Sequence, residues 1–292
     1  MTRIWWVNVF GGEDAGGNPA CVVAEPSPMS ITQRQHLTRA LRVPDTVFLP
    51  ADIRAGMPVP LAFHAPAEGP MAFCGHGLLA ADRVLRSLGV FQSTDVISFV
   101  TPAGTVVTRN DDTDPGVVWF VAQRQALRVV NEDLRLARSA ARVFWPRADG
   151  DLQAVLIDSG RARLFIPVSP RELTAARPMP DAIMALCREH AVSGICLFAR
   201  EHARQVRLRV FTVSRNGDED NATGGAALGL AILVPSGVWG IAQGIEDYFR
   251  RGTLLLDTTA RDGRIAVGGM AEIVAEGRPA AVIPSSVEGS HR

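Results

Sequence analysis

Two short segments constrain the fold of this chain most: CGHGLLAADRVL over 74–85 and ATGGAALGLAIL over 222–233. Each sets a glycine-rich turn directly ahead of an apolar run long enough for a helix. β-rich pieces precede both, so the chain reads as two similar α/β halves, each feeding strands into a glycine-opened helix. A helix that starts on glycine exposes unpaired backbone N–H groups and the positive end of its dipole. Two such ends facing each other would make a cleft for a small molecule bearing a carboxylate. Glycines can also serve only to let helices pack closely. Two matching turns, in matching places of two similar halves, favour a functional role.

The coarse reading around these turns is as follows. Strands are expected over 4–10 and 20–23, joined by the Gly/Asn/Pro turn at 16–19. Ser30 predicts the N-cap of a helix running through Ile31, Leu37 and Leu41 to near Pro44. Further strands are expected over 46–49, 60–64, 96–100 and 104–108, with the first glycine-opened helix over 78–88. The charged stretch 110–115 reads as a linker. Beyond it, strands are expected over 117–121, 154–158, 162–168, 194–200 and 205–213, and helices over 171–176 and 180–190. A polar loop over 214–221 leads to the second glycine turn, and strands over 253–257, 264–267 and 270–276 close the chain. This divides the sequence into domains over 1–113 and 114–276 and an extended tail over 277–292.

Composition removes whole classes of function. All thirty basic residues are arginine, and thirty Asp and Glu offset them to zero net charge. That balance lacks the footprint of a nucleic-acid or anionic-membrane binder. Without lysine there is no Schiff base for pyridoxal phosphate, no Walker phosphate lysine, and no Ser–Lys hydrolase or lysine aldolase. Cys21, Cys74, Cys187 and Cys196 form no CxxC pair, and the opening MTRIWWVNVF is not a signal peptide. Reduced thiols in a soluble, cytoplasmic protein are the expectation. The histidines at 36, 64, 76, 190, 202 and 291 form no ligand-spaced pair.

GNPACVV (17–23), DTVFL (45–49), FCGHG (73–77) and DEDNATGGAA (218–227) occur in that order. Each is weak alone, but the ordered set resembles the PhzF-like family of phenazine-biosynthesis isomerases. That family lies within the wider fold of diaminopimelate epimerase and proline racemase. Gln243-Gly244 and Val267-Gly268-Gly269 also resemble the family's closing strands. The resemblance implies an α/β (α+β) fold of two similar domains, each a β-barrel-like sheet around a central helix, with the active site between them. It also implies no metal and no organic cofactor.

Site residues follow from the same resemblance. The family's proton shuttle is a glutamate, and Asp45 stands in its place, one methylene or ~1.5 Å shorter. His76 matches the active-site histidine and Asp220 the aspartate of the family's glycine-rich segment. A histidine inside a glycine-rich helix start is not ordinary core; Asp45 could also be a turn residue and Asp220 a helix cap. Asn18, in the GNP turn, is either a substrate-orienting amide or an ordinary turn residue. The backbones of Cys74, Gly75, Gly77, Thr223, Gly224 and Gly225 are candidate carboxylate binders. Asn221 replaces the usual proline, and Gly225 replaces a substrate-binding serine. Racemases of this fold oppose two cysteines; Cys74 resembles the first, whereas the second aligns with Ala222 or Thr223. Cys74 is therefore either a thiol with a depressed pKa at a helix start or a small buried residue beside the turn. His64 reads as a half-buried strand residue.

The leading expectation is a cofactor-independent isomerase that moves a proton and a double bond in a small unsaturated amino acid or cyclic acid. Secondary-metabolite pathways, antibiotic biosynthesis among them, are where such enzymes belong. An amino-acid epimerase of the same fold and a catalytically weakened small-molecule binding protein are the alternatives. The expected partner is a small carboxylate or amino-acid substrate, not nucleic acid or membrane, and a homodimer is left open.

Overall fold

Residue alternation along the first two strands already defines two layers. In β1 (Arg3–Gly11) and β2 (Asn18–Glu25), Trp5, Val7, Val9, Ala20 and Val22 enter the main core. Ile4, Cys21 and Val23 face the opposite side, where they pack with Leu37 of α1 (Ile31–Leu41). A capping box between Ser30 and Gln33 starts α1, and Arg42 in the left-handed region (φ 54°) ends it. The chain then enters β3 (Asp45–Pro50), parallel to β2. The computed structural model describes residues 2–12, 16–131, 134–145, 153–202, 204–244 and 251–279.

The short strands β4 (Val59–Pro60), β5 (Ala62–Ala65) and β6 (Gly69–Met71) lead to α2 (Gly75–Ser87). Every residue of α2 from Gly75 to Asp82 is buried, as expected of a helix that strands enclose. Two polar side chains fall in this run, His76 and Asp82; Asp82 is held by Arg86 at 2.7 Å and by Thr108. β7 (Ile97–Thr101), β8 (Gly104–Asn110) and β9 (Val117–Gln123) complete the wrapping. Stretch 110–115 is not a linker. β8 and β9 are antiparallel neighbours, and the Asp111 carboxylate holds the turn by accepting from Thr113, Asp114 and the Trp119 indole.

The second wrapping begins with β10 (Arg128–Asn131), α3 (Leu134–Phe144), β11 (Val155–Asp158) and β12 (Ala162–Pro167). It continues through α4 (Pro170–Ala175), α5 (Pro180–Glu189), β13 (Gly194–Arg200), β14 (Gln205–Thr212) and the two-residue β15 (Glu219–Asp220). Then come α6 (Gly224–Leu233), β16 (Val238–Gln243), β17 (Gly252–Asp257) and β18 (Arg264–Gly277). α6 is apolar on every side and is the central helix of this half. β18 pairs with β17, β9 and β1, so one strand joins both wrapped sheets.

The sequence reading broke β18 at Gly268 and Gly269, but the strand is continuous. A Cβ on either glycine would come within 2.5 Å of Trp119 or Phe10, so these glycines admit aromatic neighbours rather than a turn. The coarse reading placed no element over α3, β6, β10 or β16, and β15 lies in the stretch it read as a polar loop. Residues 280–292 of the expected tail lie outside the described residues, whereas Gly277 belongs to β18. Among the described residues no helix is long and apolar enough to cross a membrane.

Candidate active site

The two central helices meet start to start. A Cβ built on Gly75 would stop 3.5 Å from the Gly224 Cα, and at both glycines it would press on the Phe120 ring at 3.2–3.3 Å. Cys74 is the N-cap of α2 and Thr223 that of α6, which makes Thr223 the counterpart of Cys74. The N–H groups of Gly75, His76, Gly224 and Gly225 lie in the first turns, where a helix supplies no acceptor of its own. All four residues line one cleft, with Asp45 and Asp220.

Asp45 reaches the cleft as the first residue of β3. Its Oδ2 lies 3.2 Å from His76 Nε2, although that nitrogen is not aligned for a hydrogen bond. The Cys74 thiol donates to the same oxygen at 3.5 Å, and His76 Nδ1 lies 3.4 Å from the sulfur. Burial raises the Asp45 pKa above its ordinary value; the Asp220 charge adds to this, while His76, the thiol and Arg215 oppose it. A carboxyl held in this way is suited to take up a proton and give it back.

Cys74 departs from one sequence expectation. Its position at a helix start suggested a depressed pKa, yet burial and the Asp45 charge push it well above the ordinary thiol value. The single favourable donor, the Gly77 N–H at 3.4 Å, does not offset them. A neutral thiol donating to Asp45 is the form this geometry supports.

Asp220 sits among donors. Asn18 Nδ2 (3.1 Å) and the Arg215 guanidinium (3.3 Å) reach Oδ1, and the Thr223 hydroxyl reaches Oδ2 at 2.6 Å. Gln243 braces the same corner: it accepts from the Thr223 N–H at 3.0 Å and donates to the Asp220 carbonyl at 2.8 Å. The short pairing of β15 with β14 fixes the backbone at Asp220.

Not every candidate faces the cleft. Asn18 is buried, and its amide nitrogen is committed to Asp220 and to the Ala222 carbonyl at 2.8 Å, so it positions Asp220 rather than lining the cavity. Gly77 is likewise off the wall; a Cβ there would meet Val47 at 2.7 Å. His64 is fully buried on β5 and contacts the Gln35 amide at 3.0 Å. Sequence reasoning missed Arg163, which lines the cleft from β12, and Arg215. Arg163 had a signal: a single arginine heading the apolar strand segment RLFIP.

Asp45, Cys74 and His76 also present ligand atoms within 4.8 Å of one another, a spatial cluster that linear spacing does not reveal. A metal needs the thiolate, and the raised thiol pKa works against one.

The structure resembles several solved proteins. A predicted epimerase from Pseudomonas aeruginosa superposes with a TM-score of 0.77 at 20% identity, covering 97% of this chain and 100% of that one. A phenazine biosynthesis protein of the PhzF family from Bacillus anthracis gives 0.74 at 18%, covering 95% and 98%. A hydroxyproline epimerase from Agrobacterium vitis, with trans-4-hydroxy-L-proline bound, gives 0.62 at 12%, covering 94% and 91%. No curated protein sequence matches the chain. At these identities the likenesses establish the epimerase-type fold. The sequence itself goes further: the phenazine biosynthesis-like (PhzC-PhzF) family model matches residues 7–277, and the chain belongs to that family.

Proposed function

We propose that this protein is an isomerase that moves a proton between two carbons of a small unsaturated amino acid or cyclic acid, within secondary metabolism. Family and fold support an enzyme of the isomerase or epimerase type. The observation that carries the finer reading is Asp45, a carboxyl with a raised pKa in the cleft, 3.2 Å from His76.

In this scheme the substrate carboxylate lies across the two helix starts. Asp45 accepts a proton from an activated C–H, and the electron pair moves along the allylic system. The proton then returns to the remote carbon, so a double bond shifts with no net oxidation or reduction. His76 and Asp220 hold the substrate's amine or ring in place. A thiol-pair epimerase is disfavoured, because the partner position to Cys74 is Thr223 and its hydroxyl is bound to Asp220.

The test is turnover of unsaturated cyclic amino acids and acids in D₂O, followed by proton NMR. Deuterium at the remote carbon supports the isomerase. Exchange confined to the α-carbon, with inversion, identifies an epimerase, and binding without exchange identifies neither enzyme.

A further inference from the structure

β12 places a charged side chain where its neighbours are apolar. Leu164 and Ile166 face the layer that contains α3 and α5. Arg163 and Phe165 alternate to the other face, toward α6, and α6 meets them with Gly225 and Gly229, one helical turn apart. A Cβ at Gly225 would lie 2.9 Å from Arg163 Nη1, and one at Gly229 would lie 2.3 Å from the Phe165 ring. The guanidinium therefore occupies the space of an absent side chain, beside the first turn of α6 and in the cleft wall.

Among the described residues no side chain pairs with it. Arg163 is 6% exposed, and its Nε has no hydrogen-bond partner. Nη1 reaches only the Arg161 carbonyl, at 3.3 Å. Among the described residues no carboxylate lies within ion-pair distance of it. The nearby acids are committed elsewhere, Glu68 to Arg161 at 2.7 Å and Asp220 to Arg215 and Thr223. Cys196, whose pKa burial pushes up to about 12, is a neutral thiol and offers no countercharge. Burial lowers the Arg163 pKa, but a guanidinium keeps its proton in a protein. A buried cation without a counter-ion is unfavourable until something completes it.

We propose that Arg163 is a specificity-determining residue of the cleft: its guanidinium takes the substrate's carboxylate at the α6 end, so the site selects a small acid over the matching amide. The proposal rests on the small-acid isomerase reading and adds the group that recognises the acid. A planar guanidinium offers a carboxylate two parallel N–H donors. The Gly224 and Gly225 N–H groups lie on the same wall, and a Cβ at residue 225 would push the Nη1 end of the guanidinium aside.

Calorimetric titration of the full chain with cyclohex-1-enecarboxylate and with cyclohex-1-enecarboxamide tests this. Wild type should bind the carboxylate at least about tenfold tighter than the amide. Arg163→Met keeps the volume and removes the charge, and should weaken carboxylate binding by about 10–100-fold while leaving the amide alone. Gly225→Ala displaces the guanidinium without changing net charge and should reduce the same preference, which keeps the test available if Arg163→Met does not fold. An undiminished preference in either folded variant, or no preference in wild type, overturns the proposal. Asp45→Asn separates the two readings. It should lose deuterium exchange yet keep the carboxylate preference, so loss of preference only at Arg163 and Gly225 supports the recognition role even if no substrate is isomerised.

Discussion

Gly75 and Gly224 face each other across the join of the two halves, close enough that a Cβ on one would touch the Cα of the other at 3.5 Å. Neither glycine has an unusual backbone angle in this structure, so close approach, not conformational freedom, dictates the residue type. Phe120 closes the third side. Gly75→Ala and Gly224→Ala should each overpack this point and cost about 1–3 kcal/mol, measured by denaturant unfolding. Two variants that unfold like wild type would mean that the join is looser than described.

Much of this was legible in the sequence because it rests on local chemistry. Ser30 announced the cap of α1, and the two glycine turns announced α2, α6 and their shared cleft. What was not legible depends on distant partners. Stretch 110–115 looked like a linker because its polar residues suit either role; only the β8–β9 pairing makes it a turn. Gly268 and Gly269 looked like a break because the sequence does not show Trp119 and Phe10 waiting against them. Asn18 read as a substrate-orienting amide or a turn residue, and only the fold shows its amide nitrogen committed to Asp220 and Ala222. Arg163 was overlooked because its unpaired state is a property of the folded interior.

Chelation should leave any activity unchanged. The cluster of Asp45, Cys74 and His76 is close enough to hold a cation, yet a protonated thiol is a poor ligand. Activity assayed before and after EDTA treatment checks this. Loss on chelation with recovery on adding one divalent ion would replace the proton-shuttle scheme with a metal-dependent one.

The raised pKa of Asp45 makes a signed prediction about stability. A folded-state pKa above the ordinary 3.8 means that folding favours the neutral carboxyl. That contribution is fully present below 3.8 and is lost as pH rises through the folded-state value. Above it the buried charge is a cost, which Asp45→Asn removes. Asp45→Asn should therefore melt higher than wild type near pH 8, with the gap closing as pH falls toward 4. Thermal melts across that range decide it, and a variant that melts lower at pH 8 would show that Asp45 is stabilised as a carboxylate.

Kinetics separate the carboxyl from the thiol that touches it. If Asp45 is the shuttle, Asp45→Asn keeps the shape and loses the proton acceptor, so kcat should fall by about 10²–10⁴-fold. KM should change little, because the helix-start N–H groups and Arg163 hold the carboxylate apart from residue 45. Asp45→Glu restores a longer arm. The cleft is built around the shorter one, with His76 at 3.2 Å and Cys74 at 3.5 Å, so the misplaced carboxyl should cost about 10²-fold on the native substrate. Cys74→Ala removes a neutral donor to Asp45, together with the acceptor for the Gly77 N–H and the contact with His76 Nδ1, but no proton acceptor of the scheme. Its effect should be small in kcat, and it should shift the acidic limb of the pH profile upward, since the lost hydrogen bond had lowered the Asp45 pKa. A thiol base would reverse the order: Cys74→Ala dead, Asp45→Asn active. Steady-state rates and remote-carbon deuterium incorporation for the three variants, read together, choose between the two residues.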